Sequence, residues 1–256
     1  MNIFITGGAN GIGKRTALKL VEKGHSVKVF DSDEEALEQL DREIETFHGD
    51  VTNSDDLEQA MIDFEVEVIV NSAGYQKQGA VEDMDIETFR EHVETNYLGT
   101  ANAIKNAMPS IRRSNGRIVN ISSIAGKTGA PFLSAYCGSK HAVEGFSDSL
   151  RMELKDSEVD VVIVEPGPIR TGFNEQGREH LRNFVPSSRF SNWYSKKLDS
   201  PVDGVETEKA ASKVVKAVEA EKPKTRYTVT KEAFFARKFK RFFPDRWWDR
   251  IILSKE

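Results

Sequence analysis

The chain has 256 residues, 38% of them hydrophobic and 30% charged, with a net charge of -5 and a mean hydropathy of -0.49. That suits one α/β domain with a substantial core, and the acidic balance argues against nucleic acid as a partner. A single cysteine, Cys137, excludes an intrachain disulfide; with no run of about 18 apolar residues and no leader before the first strand, the expected compartment is the cytoplasm.

Residues 2–6 read as a buried strand, because Ile3, Phe4 and Ile5 stand together before a glycine-rich turn. The turn is Thr6-Gly7-Gly8-Ala9-Asn10-Gly11-Ile12-Gly13. A helix pattern follows, carrying Ala17, Leu18, Leu20 and Val21 and stopping at Gly24. Strand, turn and helix together make a pyrophosphate cradle, since glycines let the backbone approach and helix amides meet the charge. Gly7, Asn10, Gly11, Ile12 and Gly13 are therefore candidate cofactor residues; a plain tight turn is the alternative. A second strand, 26–30, ends at Asp31, eighteen residues beyond Gly13. An acid there binds the ribose hydroxyls of NAD and repels the 2′-phosphate of NADP, and neither Asn10 nor Ser32 supplies a cation for that phosphate. Otherwise Asp31 caps a helix starting near Asp33.

A third strand, 44–47, leads to Gly49-Asp50-Val51-Thr52. Asp50, with Val51 beside it, suits an adenine amino group or the cap of a helix from Ser54. The fourth strand, 66–70, ends in Asn71-Ser72-Ala73-Gly74, small enough for a cofactor to lie close to Asn71, Ala73 and Gly74. Repeated strand–helix alternation predicts a parallel, doubly wound sheet with right-handed crossovers. A long helix over 86–112 contains Asn96-Tyr97-Leu98-Gly99-Thr100. Asn and Gly inside a helix cost stability; either Asn96 opens the helix for an ordered water, or Gly99 marks a close helix–helix contact.

The fifth strand, 117–121, ends at Ser122-Ser123. A helix running to about Leu154 then bears Tyr136-Cys137-Gly138-Ser139-Lys140. Tyrosine and lysine four apart share a helix face. An ammonium beside a phenol favours the phenolate, whose ordinary pKa is about 10. The pair is a candidate acid/base centre, although a solvated helix face has the same spacing. A sixth strand, 159–164, leads into Glu165-Pro166-Gly167-Pro168-Ile169-Arg170-Thr171. Residues 170–201 lack periodicity but carry Phe173, Phe184, Phe190, Trp193 and Tyr194, as a lid loop does. A helix over 207–219 and a strand over 226–230 complete one catalytic domain, residues 1–230.

The tail, 231–256, is separate in character. Phe235, Phe239 and Phe242 stand at i, i+4 and i+7, with Arg237, Lys238, Lys240 and Arg241 between them; Trp247, Trp248, Ile251 and Ile252 follow Pro244. A basic amphipathic helix of this kind reads as a peripheral membrane contact or a partner surface. Covering of the protein's own pocket or of a dimer mate is the alternative.

Taken in order over residues 6–171, these motifs closely resemble the short-chain dehydrogenase/reductase family. Ser123 and Tyr136 stand thirteen apart, the usual family separation; Asn71-Ser72 departs slightly, since two asparagines are common there. The resemblance implies a single Rossmann-type domain whose seven-stranded parallel sheet is flanked by helices. It implies an NAD(P)-dependent oxidoreductase acting on CH–OH groups through a tetrad. Tyr136 would exchange the proton with the substrate oxygen, and Ser123 would hydrogen-bond that oxygen, with Ser122 the alternative serine. Lys140 would lower the Tyr136 pKa and bind the nicotinamide ribose, while Asn96 would hold a water linking Lys140 to solvent. Asp50, Val51, Pro166, Gly167, Ile169 and Thr171 would complete the cofactor contacts. NAD is expected over NADP because of Asp31, and no metal is expected. A hydrophobic alcohol or ketone, lipid-, steroid- or retinoid-like, is the expected substrate, and a homodimer or homotetramer the expected assembly. The other class is a nucleotide-binding regulatory or membrane-surface protein without turnover.

Overall fold

The computed structural model describes residues 1–170, 172–201 and 204–254. The strands are β1 (Asn2–Thr6), β2 (Ser26–Asp31), β3 (Glu45–His48), β4 (Val68–Asn71), β5 (Arg117–Ile121), β6 (Asp160–Glu165), β7 (Ile169–Arg170), β8 (Val205–Glu206) and β9 (Arg226–Thr228). The helices are α1 (Gly11–Glu22), α2 (Glu34–Glu38), α3 (Ser54–Met61), α4 (Ile86–His92), α5 (Gly99–Ser114), α6 (Ser134–Glu153), α7 (Gly172–Glu179), α8 (Ser191–Asp199), α9 (Thr207–Glu219), α10 (Lys231–Phe239) and α11 (Asp245–Leu253). Seven strands form one parallel sheet in the order β3-β2-β1-β4-β5-β6-β9, and β7 pairs separately with β8.

Continuous apolar strands are what a sheet covered on both faces requires. Successive side chains alternate faces, so Ile3, Ile5, Val29 and Val70 pack with Leu20 of α1 and Val214 of α9. Phe4, Phe30, Ile69 and Ile118 pack on the other face with Leu57 of α3, Ile104 of α5 and Leu150 of α6. The chain winds outward from β1 to β3 and then returns to β4. This reversal opens a crevice at the carboxyl ends of β1 and β4, where sheets of this type bind ligands.

Two stretches differ from the sequence expectations. The expected long helix contains a π-helical turn, Val93–Leu98, between α4 and α5. The segment expected as an irregular lid loop folds instead into β7, α7, a 3-10 turn (His180–Asn183) and α8. Phe184, Phe190, Trp193 and Tyr194 pack on one another and on Phe132 and Ala80. The fully buried Tyr194 donates to Asp83 Oδ2 at 2.5 Å and accepts from the Ala80 amide at 2.9 Å. A cluster closed by residues distant in sequence leaves no single stripe along either helix. The tail also divides, into α10, a 3-10 turn (Lys240–Phe242) and α11. Among the described residues no helix is long and apolar enough to cross a membrane.

Candidate active site

The glycine turn folds against the end of β4. Gly7 has φ 64, and a Cβ there would stand 2.5 Å from the Ala73 backbone. A Cβ on Gly13 would stand 2.1 Å from the Gly7 carbonyl oxygen. Side chains are thus excluded from this turn, and the first turn of α1 carries no acidic residue to oppose an anion. Asn10 donates from Nδ2 to Asp33 Oδ2 at 3.0 Å, and Ile12 is half-buried beside the core. Asp31 accepts from the amides of Ala9 (2.9 Å) and Asp33 (3.1 Å), so its carboxylate joins β2 to the glycine turn. The α2 cap is Asp33, which accepts from the Ala36 amide at 3.0 Å; Asp31 does not serve that purpose.

Asp50 accepts from the Thr52 amide at 2.8 Å, while Asn53 caps α3. Val51 is buried under Gly99, where a Cβ would stand 2.6 Å from Val51 Cγ2. The close contact at Gly99 is therefore with the loop after β3, not with another helix. Asn71 donates to Asn120 Oδ1 at 2.8 Å, and Asn120 donates to Ser147 Oγ at 2.8 Å. The Asn71 Oδ1 atom is buried without a hydrogen-bond partner. The Ala73 amide donates to Thr6 Oγ1 at 3.3 Å.

The four tetrad positions, all buried, come from β5's end, the π-turn and α6. The widened π-turn aims Asn96 inward. Its Oδ1 accepts from the Tyr75 amide at 2.9 Å, and its Nδ2 donates to the Tyr75 carbonyl (3.0 Å) and Ser139 Oγ (2.9 Å). The side chain thus clamps the Tyr75 segment to α6, and the main-chain carbonyl accepts from Thr100 Oγ1 at 2.9 Å. A Cβ on Gly74 would stand 2.8 Å from Asn96 Oδ1 and 3.7 Å from Lys140 Nζ, which locates these three residues side by side. Lys140 donates to the Ile121 carbonyl at 3.0 Å, and its Nζ lies 5.9 Å from the Tyr136 ring centroid. Ser123 lies near enough to Tyr136 to lower its pKa, and its Oγ accepts from the Ala125 amide at 3.1 Å, capping the 3-10 turn Ile124–Gly126. Ser122 points elsewhere, with its Oγ buried beside Gly126.

Burial pushes the Tyr136 phenol up to about 12, against the lowering effect of the nearby Ser123. Burial also pulls the Lys140 ammonium down to about 8, against the nearby Glu144 carboxylate. Burial is the largest influence on both groups, raising the phenol and lowering the ammonium. A phenol that keeps its proton is a donor suited to a carbonyl oxygen. Phe173 of α7 lies edge-on over the Tyr136 ring, with centroids 5.9 Å apart.

The segment after β6 is locked to the serine turn. The Pro166 carbonyl accepts from the Ile124 amide at 2.7 Å, and a Cβ on Gly167 would stand 2.2 Å from Thr230 Oγ1. Ile169 is buried, and its carbonyl accepts from Asn174 Nδ2 at 2.5 Å. Thr171 lies outside the described residues.

Sequence reading missed a buried ion cluster behind Lys140. Lys127 Nζ lies 2.6 Å from Glu144 Oε2 and 3.8 Å from Glu165 Oε1. Arg226 lies 3.1 Å from Glu144, 2.7 Å from Asp148 and 3.2 Å from Glu165. The last approach lacks hydrogen-bond geometry, so both Glu165 oxygens remain without a hydrogen-bond donor. Burial, then Glu144, raises the Glu165 carboxyl to about 7, opposed by the neighbouring cations. The one available sequence signal was Glu144 itself, one helical turn beyond Lys140.

With that geometry in place, residues 1–182 match the family model described as short chain dehydrogenase. The chain belongs to the short-chain dehydrogenase/reductase family. This dehydrogenase/reductase is 32% identical over 277 residues to the uncharacterized oxidoreductase YusZ of Bacillus subtilis, covering 98% of this chain and 97% of that one. It is 36% identical over 179 residues to the 3-ketodihydrosphingosine reductase of Bacteroides thetaiotaomicron, covering 68% and 65%. A short chain dehydrogenase from Burkholderia cenocepacia, solved in complex with NADP, shares the fold with a TM-score of 0.76 at 23% identity, over 94% of each chain. The protein is an NAD(P)-dependent oxidoreductase acting on CH–OH groups.

Proposed function

We propose that this short-chain dehydrogenase/reductase interconverts a hydrophobic, lipid-like alcohol and its ketone, with Tyr136 as general acid/base. The observation that carries this reading is the buried Tyr136 ring, with Lys140 Nζ 5.9 Å from its centroid and Ser123 close enough to lower its pKa. The glycine turn fits a dinucleotide, because side chains are excluded at Gly7 and Gly13. The nicotinamide, when bound, supplies or accepts the hydride. In the reductive direction Tyr136 Oη gives its proton to the carbonyl oxygen as that oxygen gains charge, and Ser123 Oγ holds the same oxygen. In oxidation the two transfers reverse. The Lys140 ammonium favours the phenolate left behind, and Asn96 keeps the Tyr75 segment and α6 in register.

Asp31 and Asp33 place two carboxylates at the ribose end, which supports NAD over NADP by repulsion of a 2′-phosphate. The aromatic cluster around Tyr194 and Phe173 over Tyr136 support an apolar substrate, as does the name of the Bacteroides relative. The single cysteine supports a reducing compartment such as the cytoplasm. The family's habit of assembling supports a homodimer or homotetramer, and the basic tail supports a peripheral membrane contact.

The test follows NADH and NADPH absorbance over a panel of ketones and alcohols of increasing chain length, for wild type and Tyr136→Phe. We expect turnover to fall about 100- to 10 000-fold in the variant while cofactor binding persists. Equal turnover by both proteins would overturn the mechanism. Tighter binding of NADP than of NAD would overturn the role given to Asp31.

A further inference from the structure

We propose that α10 and α11 form a docking face for an anionic lipid bilayer, set beside the substrate side of the enzyme. This deepens the peripheral-contact part of the reading above and rests on it; the oxidoreductase chemistry is not required for it. Charge is the first argument. Residues 1–230 carry 28 Lys/Arg against 37 Asp/Glu, whereas residues 231–256 carry eight against four. A basic end on an acidic body orients the molecule toward a negative surface.

Exposure is the second. Among the described residues every exposed aromatic side chain lies in this tail: Phe234, Phe235, Phe239, Phe242 and Trp247, the last with 62% of its surface open. Leu253 is 60% exposed. Cations stand among these rings. Arg237, Lys238, Arg246 and Arg250 are exposed, and Lys238 Nζ sits 5.3 Å over the Phe234 ring. Aromatic rings at the level of lipid headgroups, flanked by Lys and Arg for anionic lipid, are the arrangement an interfacial helix uses.

Attachment is the third. Trp248, the buried ring of α11, donates from Nε1 to Thr128 Oγ1 at 2.6 Å, just past the serine turn. Thr230 caps α10 and fills the space over Gly167. The tail is thus fastened to the body on the side of Ser123 and Gly167, with Phe243 packed on Trp248, while Phe234, Phe235, Phe239, Phe242 and Trp247 remain exposed. A second copy meeting the same face about a two-fold axis would oppose cations to cations, which favours the bilayer as occupant.

Flotation with vesicles of phosphatidylcholine, with and without phosphatidylglycerol, tests this on the full-length protein. Wild type should float with the anionic vesicles and be released by salt, and the doubles Trp247→Ser/Leu253→Ser and Lys238→Glu/Arg246→Glu should each bind at least about tenfold more weakly. Reduction of a water-soluble ketone should be the same in all three proteins, which shows that the variants are folded. Absence of wild type from anionic vesicles, or undiminished flotation of both doubles, overturns the proposal. So does an oligomer, measured by analytical ultracentrifugation, that the Trp247→Ser/Leu253→Ser change dissociates. Flotation without any ketone turnover upholds the docking face and overturns the catalytic reading instead.

Discussion

Tyr136 and Lys140 are displaced in opposite directions by the same burial, the phenol to about 12 and the ammonium to about 8. The pair therefore holds a firmly bound proton next to a cation that titrates close to neutrality. Lys140 loses its charge as pH rises through about 8, and with it the group that favours the phenolate produced by reduction. We predict that kcat/KM for ketone reduction declines across that pH. Glu144 favours the ammonium, so Glu144→Gln should move the decline to lower pH. A pH–rate profile that stays in place in the variant would remove Lys140 from this role.

At the scale of elements, the π-turn and the glycine that follows it decide how the long helix meets the sheet. Asn and Gly in mid-helix correctly marked a break, because both are poor helix formers. The partner of Gly99 was not legible, because Val51 comes from a distant loop. Gly99→Ala should destabilise the fold by about 1–3 kcal/mol through overpacking against Val51. Val51→Ala in the same chain should recover part of that loss. Urea melts of the single and double variants measure both effects, and additive losses would show that Val51 is not the obstacle.

For the whole molecule, the ion cluster of Lys127, Glu144, Glu165 and Arg226 ties β6, α6, β9 and the serine turn together at one buried point. Glu165 is raised from its ordinary 4.5 to about 7. Between those values the unfolded chain has shed a proton that the folded chain still holds. Its contribution to stability is therefore complete below 4.5, declines as pH rises and is lost by about 7. Glu165→Gln keeps the neutral shape at every pH, while Lys127 retains Glu144 and Arg226 retains Asp148. Its melting temperature should match wild type near pH 4.5 and exceed it near pH 8. An offset independent of pH would count against Glu165 as the titrating group.

The sequence by itself determined the parallel sheet, the glycine turn, the order of the motifs and the Tyr136–Lys140 spacing. Each of these is written in residues near one another, in apolar runs, glycine positions and helical periodicity. Tertiary structure alone set the turn after β5, in which the Ser123 hydroxyl caps the 3-10 turn Ile124–Gly126 while the Ser122 hydroxyl is buried beside Gly126. It alone folded residues 172–199 into helices over an aromatic cluster, and placed Glu165 and Arg226 behind Lys140. Those outcomes depend on side chains that meet only after the chain has returned from β3 to β4 and closed on β9, and no local pattern carries such contacts.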